Sequence, residues 1–130
     1  MKRLGHVALK TANRPAMLRF YRDFLGMRVV YDTGLSAMVR LTDSEFDCGI
    51  VLADASASER AELVHRGRMW HLGFGVADRA QVDAWAERGK KEGVHVLGPV
   101  EDAYVGYFCM LRDPDGNLVE LSAPEGVNGM

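Results

Sequence analysis

The stretch Asp113-Pro114-Asp115-Gly116-Asn117-Leu118-Val119-Glu120-Leu121 joins a strong turn signal to a strand pattern. Asp-Pro-Asp-Gly is typical of a tight turn, because proline presets φ and glycine accepts the positive φ that such turns require. Apolar and polar residues alternate after it, which predicts a strand with Leu118, Glu120 and Ser122 on one side and Val119 and Leu121 on the other. Glu120 is therefore held in the middle of a strand. Taken alone, such a glutamate is more often a solvated surface residue than a ligand.

The composition is that of an ordinary globular chain, with 130 residues, 48% of them hydrophobic and 26% charged. This length falls in the range of a single domain. A net charge of −2 gives no indication of a nucleic acid or a membrane surface as a partner. The apolar runs are strand-sized and the N-terminus lacks a signal-peptide pattern, so we expect a cytoplasmic protein. We expect its two cysteines, Cys48 and Cys109, to be free buried thiols.

The order of predicted elements repeats once along the chain. Each half reads as strand, helix and three strands. The first half has strands at 4–10, 27–33, 36–42 and 46–53, with a helix that opens at Asn13-Arg14-Pro15 and is ended by Gly26. The second half has strands at 70–76, 94–97, 104–111 and 117–122, with a helix over 79–92. We therefore predict a first module at 1–55, a linker at 56–69, a second module at 70–123 and a tail at 124–130. Together the two modules form one domain.

The repeat places two histidines at equivalent positions. His6 and His71 each stand near the start of their half's opening strand. An offset of 70 residues, which aligns Leu111 with Leu41, puts Ile50 opposite Glu120. His65 and His95 match no repeat position, and we interpret them as ordinary core or surface histidines.

His6, His71 and Glu120 together have the composition of a metal site. Two neutral imidazoles and one carboxylate on separate strands suit a divalent ion and leave coordination positions open for water, oxygen or substrate. Strand alternation places Gly73 and Gly75 on the same side as His71, where they leave room for a ligand. The pattern predicts that the three side chains converge in a cleft between the two halves.

Four motifs carry a resemblance to a known family: GHVALKT, FYRDFLGM, WHLGFGV and DPDGNLVEL. With them the chain resembles the vicinal oxygen chelate superfamily, which includes glyoxalase I, extradiol dioxygenases, fosfomycin-resistance enzymes, methylmalonyl-CoA epimerase and bleomycin-resistance proteins. The resemblance implies an α+β fold of two βαβββ modules forming a cupped mixed sheet, and often a homodimer. The family's metal ligands correspond to His6, His71 and Glu120, and the site is built within one chain or across a dimer interface.

The resemblance narrows the reaction only partly. Glyoxalase I and the epimerase typically carry Glu or Gln where this chain has Ile50, which argues against both. Three ligands suit extradiol dioxygenases and fosfomycin enzymes. The tyrosine of the extradiol enzymes corresponds here to Met110, and the region of their catalytic histidine offers Glu101, Asp102 and Tyr104 but no histidine. The tyrosine and serine of the fosfomycin enzymes correspond to Met110 and Phe108. Tyr104 and Tyr107 are nearby and could supply a hydroxyl. Tyr107 is the candidate that we name for the missing acid/base hydroxyl.

The sequence leaves three functional hypotheses. The first is a metal-dependent enzyme, with Fe(II) favoured and Zn, Mn or Ni as alternatives, that resembles an extradiol dioxygenase and acts on a small molecule chelating the metal through adjacent oxygens. The second is a glyoxalase-like isomerase or lyase. The third is a metal-free protein that binds and sequesters a small molecule, although such a binder has no need of the three ligands.

Overall fold

We describe a computed structural model of the chain that covers residues 4–44, 47–58, 71–102 and 106–123. The chain divides into two compact units, Met1–Gly67 and Arg68–Met130, and each is described by itself. Both units have the order strand, helix, three strands. The predicted α+β fold of two βαβββ modules is thus confirmed.

The first unit contains one four-stranded mixed sheet. Its elements are β1 (His6–Thr11), α1 (Arg14–Leu18), a π-helical continuation (Arg19–Phe24), β2 (Arg28–Asp32), β3 (Ser36–Arg40) and β4 (Gly49–Asp54), with strand order β1-β4-β3-β2. The Asn13 side chain caps α1 by accepting a hydrogen bond from the Ala16 amide. Gly26 follows the π-helical segment with φ of +77°, the left-handed geometry in which glycine commonly ends helices.

The second unit repeats this arrangement. Its elements are β5 (Leu72–Gly75), α2 (Arg79–Lys91), β6 (Val96–Asp102), β7 (Gly106–Arg112) and β8 (Leu118–Ser122), with strand order β5-β8-β7-β6. Asp78 caps α2 by accepting from the Gln81 amide. The first and last strands of the unit, β5 and β8, pair in parallel, whereas β8 with β7 and β7 with β6 pair antiparallel.

Each unit buries one side of its sheet under its own helical segment. In the second unit, α2 covers the side that carries alternate residues of β7 and β8, and these are fully or almost fully buried: Cys109, Leu111, Val119 and Leu121. The corresponding buried residues of the first sheet are Ala37, Val39, Ile50 and Leu52. We call the opposite side of each sheet its helix-free face. Side chains on the helix-free face do not pack against the helical segment, so they are the ones available to bind a ligand.

Several boundaries differ from the predicted ones. The fourth strand begins at Gly49, so Cys48 lies before it and is exposed, which makes the prediction of a buried thiol wrong for Cys48 and right for Cys109. The strand β6 extends to Asp102, well past its predicted end. Trp85, expected in the buried stripe of α2, is only half-buried and has the Arg88 guanidinium over its ring.

Parts of the prediction lie outside the described residues, namely the linker over 59–69, Trp70, Tyr104 and the tail 124–130. Within the described part of the chain, no helix is both long and apolar enough to span a membrane.

Candidate metal centre

His71 and Glu120 lie side by side in the second unit. The Nε2 atom of His71 is 3.3 Å from the Oε2 atom of Glu120, and the Glu120 side chain is only 9% exposed. The pairing of β5 with β8 explains this proximity, because Gly73 is the direct partner of Glu120 and His71 stands two residues before Gly73. Residues two apart on a strand share a face. The histidine and the carboxylate therefore converge on the helix-free face of the second sheet.

The Asp113 side chain fixes the turn that delivers Glu120. Its Oδ1 accepts hydrogen bonds from the amides of Asp115 and Asn117, and its Oδ2 accepts one from the Asn117 side chain. Gly116 has φ of +85°, so the turn uses glycine as the sequence predicted. Because Asp113 is 4% exposed, these bonds lie in a protected environment and hold the start of β8 in register.

Gly73 provides the space beside the pair. A Cβ built on this residue would lie 3.9 Å from Cδ2 of His71 and 4.0 Å from Oε1 of Glu120. Any larger side chain at this position would extend over the two polar groups. Gly73 thus leaves the space next to His71 and Glu120 open, as the strand pattern predicted.

His6 is the first residue of β1 in the other unit and is exposed. Its direct partner on β4 is Gly49, and a Cβ on Gly49 would lie 2.9 Å from the Met38 sulfur. The Met38 side chain therefore covers the strand next to His6. His6 lies on the helix-free face of the first sheet, since Val7, its neighbour, pairs with buried Ile50.

The strand pairing corrects the assignment of Ile50. Ala8 stands two residues after His6 and pairs with Val51, just as Gly73 stands two residues after His71 and pairs with Glu120. The structural equivalent of Glu120 is therefore Val51, and Ile50 points to the helix side. The offset of 70 residues was wrong by one, because the loops before the last strands differ in length. The position is still aliphatic, so the conclusion drawn from it is unchanged.

Tyr107 is not brought together with His71 and Glu120. On β7, Met110 pairs with Glu120 and shares its face, so Tyr107 faces the other way, towards α2. Its hydroxyl donates a hydrogen bond of 2.5 Å to Asp83 of the helix, and the Arg79 guanidinium lies 4.2 Å from its ring centre. The bond to Asp83 raises the pKa of Tyr107. These contacts attach α2 to the sheet, and they leave the acid/base role of Tyr107 without support.

The pair of donors fits a divalent ion. Two ligands bound at about 2.1 Å and at right angles to each other would stand about 3.0 Å apart, close to the 3.3 Å between His71 Nε2 and Glu120 Oε2. Among the described residues, no group of three His, Cys, Asp or Glu side chains stands together. A third ligand therefore has to come from another element, and the convergence of His6 with this pair stays a prediction.

The sequence pattern placed Ser122 on the same face as Glu120 but assigned it no functional role. Ser122 follows Glu120 by two positions, is 6% exposed, and pairs with Gly75 and Phe108. The alternation that singled out Glu120 also placed Ser122 on the same side, and this was the signal by which the serine could have been found.

A two-sheet fold of repeated βαβββ units with a histidine–carboxylate pair on one helix-free face defines a class of small-molecule enzymes and binding proteins. The chain belongs to the glyoxalase/bleomycin resistance protein/dioxygenase superfamily, whose sequence model matches residues 3–121. This confirms the resemblance found in the four motifs.

Individual relatives cover both enzymes and binding proteins. An uncharacterised protein of Pseudomonas aeruginosa is 34% identical over 123 residues, which span 92% of this chain and 86% of that protein. Biphenyl-2,3-diol 1,2-dioxygenase 3 of Rhodococcus globerulus is 32% identical over 92% of this chain, which spans 62% of the dioxygenase. The crystal structure of TnmS3, an antibiotic binding protein from Streptomyces, matches with a TM-score of 0.76 at 24% identity and covers 95% of this chain and 96% of its own. The last likeness concerns the fold alone.

Proposed function

We propose that the protein is a divalent-metal-dependent enzyme, with Fe(II) as the favoured metal, that cleaves a small catechol-type substrate in the manner of an extradiol dioxygenase. The observation that carries this proposal is the His71–Glu120 pair, 3.3 Å apart beside the side-chain-free Gly73. His6 would complete a set of two imidazoles and one carboxylate, which is the ligand set of non-haem iron oxygenases. The similarity to a biphenyl-2,3-diol dioxygenase supports the same choice.

The reaction balances without any further oxidant. The ring carbon–carbon bond beside the diol breaks, and both atoms of O2 enter the ring-opened product. Oxygen is reduced and the two ring carbons are oxidised. Bound iron would supply the redox chemistry and a common attachment point for both reactants.

The chain's own residues would orient and shield the substrate. The Glu120 carboxylate is almost buried, so it would hold a divalent ion in a fixed place, protected from water. Met110, its direct partner on β7, and Phe108 present apolar surface on the same face, which suits the flat body of an aromatic diol.

Other members of the superfamily provide the alternatives. A glyoxalase-like isomerase or lyase is disfavoured, because Val51 occupies the position equivalent to Glu120 in the first unit. An antibiotic binding protein, TnmS3, shares the fold, but a binder that uses no metal has no use for a buried carboxylate next to an imidazole. Burial of an unused charge is costly unless the charge is paired.

Oxygen uptake tests the proposal. Protein loaded anaerobically with Fe(II) is mixed with catechol, 3-methylcatechol and biphenyl-2,3-diol, and oxygen consumption and the yellow ring-opened products are followed. We expect turnover of at least one catechol, and its loss in Glu120→Gln and His71→Ala. Glu87→Gln and His95→Ala are matched controls, because both residues are exposed and lie away from the pair. If no catechol is turned over but a glutathione hemithioacetal is, the proposed dioxygenase function is wrong and a glyoxalase function takes its place.

A further inference from the structure

Ser122 lies at the far end of the same polar row as His71 and Glu120. It is two residues beyond Glu120 on β8, about 7 Å along the strand, and it shares the helix-free face. Its residue is 6% exposed, yet within the described part of the chain its hydroxyl makes no hydrogen bond. The Ser122 oxygen is not among the buried unpaired atoms of the described residues, so it can be reached from the helix-free face. A bound molecule could therefore take the hydroxyl as its hydrogen-bond partner.

The surroundings of Ser122 leave room for such a molecule. Its partner on β5 is Gly75, and a Cβ built on Gly75 would meet no described heavy atom within 4 Å. Its partner on β7 is Phe108, which presents an aromatic ring on the same face. The serine therefore stands between open space and an apolar wall, in line with the proposed metal ligands.

We propose that Ser122 is a specificity-determining residue that hydrogen-bonds a polar substituent on the substrate body while the substrate's adjacent oxygens chelate the metal. The inference rests on the proposed function. It names the substrate class further: an aromatic diol that carries a hydroxyl or carbonyl group about one ring's length from the chelating oxygens. Among the described residues of β5, β7 and β8 on this face, Ser122 is the one that carries a hydroxyl.

The test compares catechols that differ only at the contact. Binding to Fe(II)-loaded protein is measured anaerobically by calorimetry, so that no turnover is needed, with catechols that carry either a hydroxymethyl or an ethyl group at ring position 4, across the ring from one chelating oxygen. We expect the wild type to prefer hydroxymethyl over ethyl by about fivefold, as one neutral hydrogen bond provides. Ser122→Ala should bring that ratio close to one, and Ser122→Thr, which keeps the hydroxyl, should retain a preference.

Two further variants distinguish loss of the Ser122 hydrogen bond from damage to the fold. Gly75→Ala adds a methyl group to the open space beside the serine, and it should weaken binding of the substituted catechols more than that of catechol itself. Ser56→Ala removes an exposed hydroxyl outside the second sheet and should leave the ratio unchanged. Metal content, measured on each variant, reports whether the site is intact.

The outcomes are distinguishable. If the loaded protein binds no catechol at all, the proposed function fails and this inference fails with it. If catechols bind but the wild type shows no preference, or Ser122→Ala leaves the preference unchanged at retained metal content, the inference alone is overturned. A preference that disappears in Ser122→Ala and persists in Ser122→Thr supports it.

Discussion

Replacing Gly73 by alanine should raise stability and lower activity at the same time. The residue has no positive φ, and its new Cβ would come no closer than 3.9 Å to any described atom, so alanine fits the backbone and the space. A compatible Gly→Ala change stabilises by about 0.4–1 kcal/mol through the unfolded chain. For a chain of this size that corresponds to an increase in Tm of about 1–4 °C.

The same methyl group should interfere with the substrate. It would contact both His71 and Glu120 on the side where a bound molecule has to lie. Overpacking a filled site costs about 1–3 kcal/mol, so we expect kcat/KM for the best catechol to fall about 5- to 150-fold.

Thermal unfolding and steady-state oxygen uptake measure the two effects on the same preparation, with metal content determined in parallel. The opposite signs make the result specific, since a damaged fold would lower both quantities. If the alanine variant has a higher Tm and an unchanged kcat/KM, the substrate does not occupy the space beside Gly73. That result would refute the predicted loss of activity.

Three further predictions concern the fold. Gly89→Ala should destabilise by about 1 kcal/mol, because overpacking outweighs the gain in helix propensity: its Cβ would lie 2.8 Å from Val96 and 3.3 Å from Leu111. Chemical denaturation measures this, and a stabilised variant would contradict the packing described. Asp113→Ala should cost about 2 kcal/mol by leaving the turn amides without their acceptor, whereas Asp113→Asn keeps an acceptor and should cost less; equal losses in denaturant midpoint would argue against the cap. A thiol reagent at pH 8 should modify Cys48 in the native protein and Cys109 only after unfolding, since Cys109 is buried and desolvation raises its pKa to about 11; rapid loss of both thiols would contradict the burial.

The sequence was sufficient for those features that depend on local chemistry and alternation. The Asp-Pro-Asp-Gly turn, the strand after it and the side on which Glu120 lies follow from turn preferences and a period of two. The repeat identified His6 and His71 as equivalent; in the structure His6 begins β1 and His71 lies one residue before β5. The neighbouring glycines were also placed on the correct side, because they alternate with the apolar residues that pack on the helix.

Features that depend on pairing between distant strands were harder to predict. Ile50 and Val51 differ by one residue, and a one-residue change in register reverses the side on which a side chain lies. Tyr107 could have been excluded by the same argument: it is three residues from Met110, an odd spacing, and so faces away from a carboxylate that Met110 adjoins. The exposure of Cys48 follows from the late start of β4, which no local signal marks.

The central claim is that His6, His71 and Glu120 bind one divalent metal ion, and metal analysis after anaerobic purification tests it most directly. We expect about one ion per chain in the wild type. Each of His6→Ala, His71→Ala and Glu120→Gln should weaken metal binding by at least about 100-fold, while His95→Ala and Glu87→Gln leave it unchanged. A chain that binds no stoichiometric metal, or one whose metal is retained in Glu120→Gln, would contradict the account.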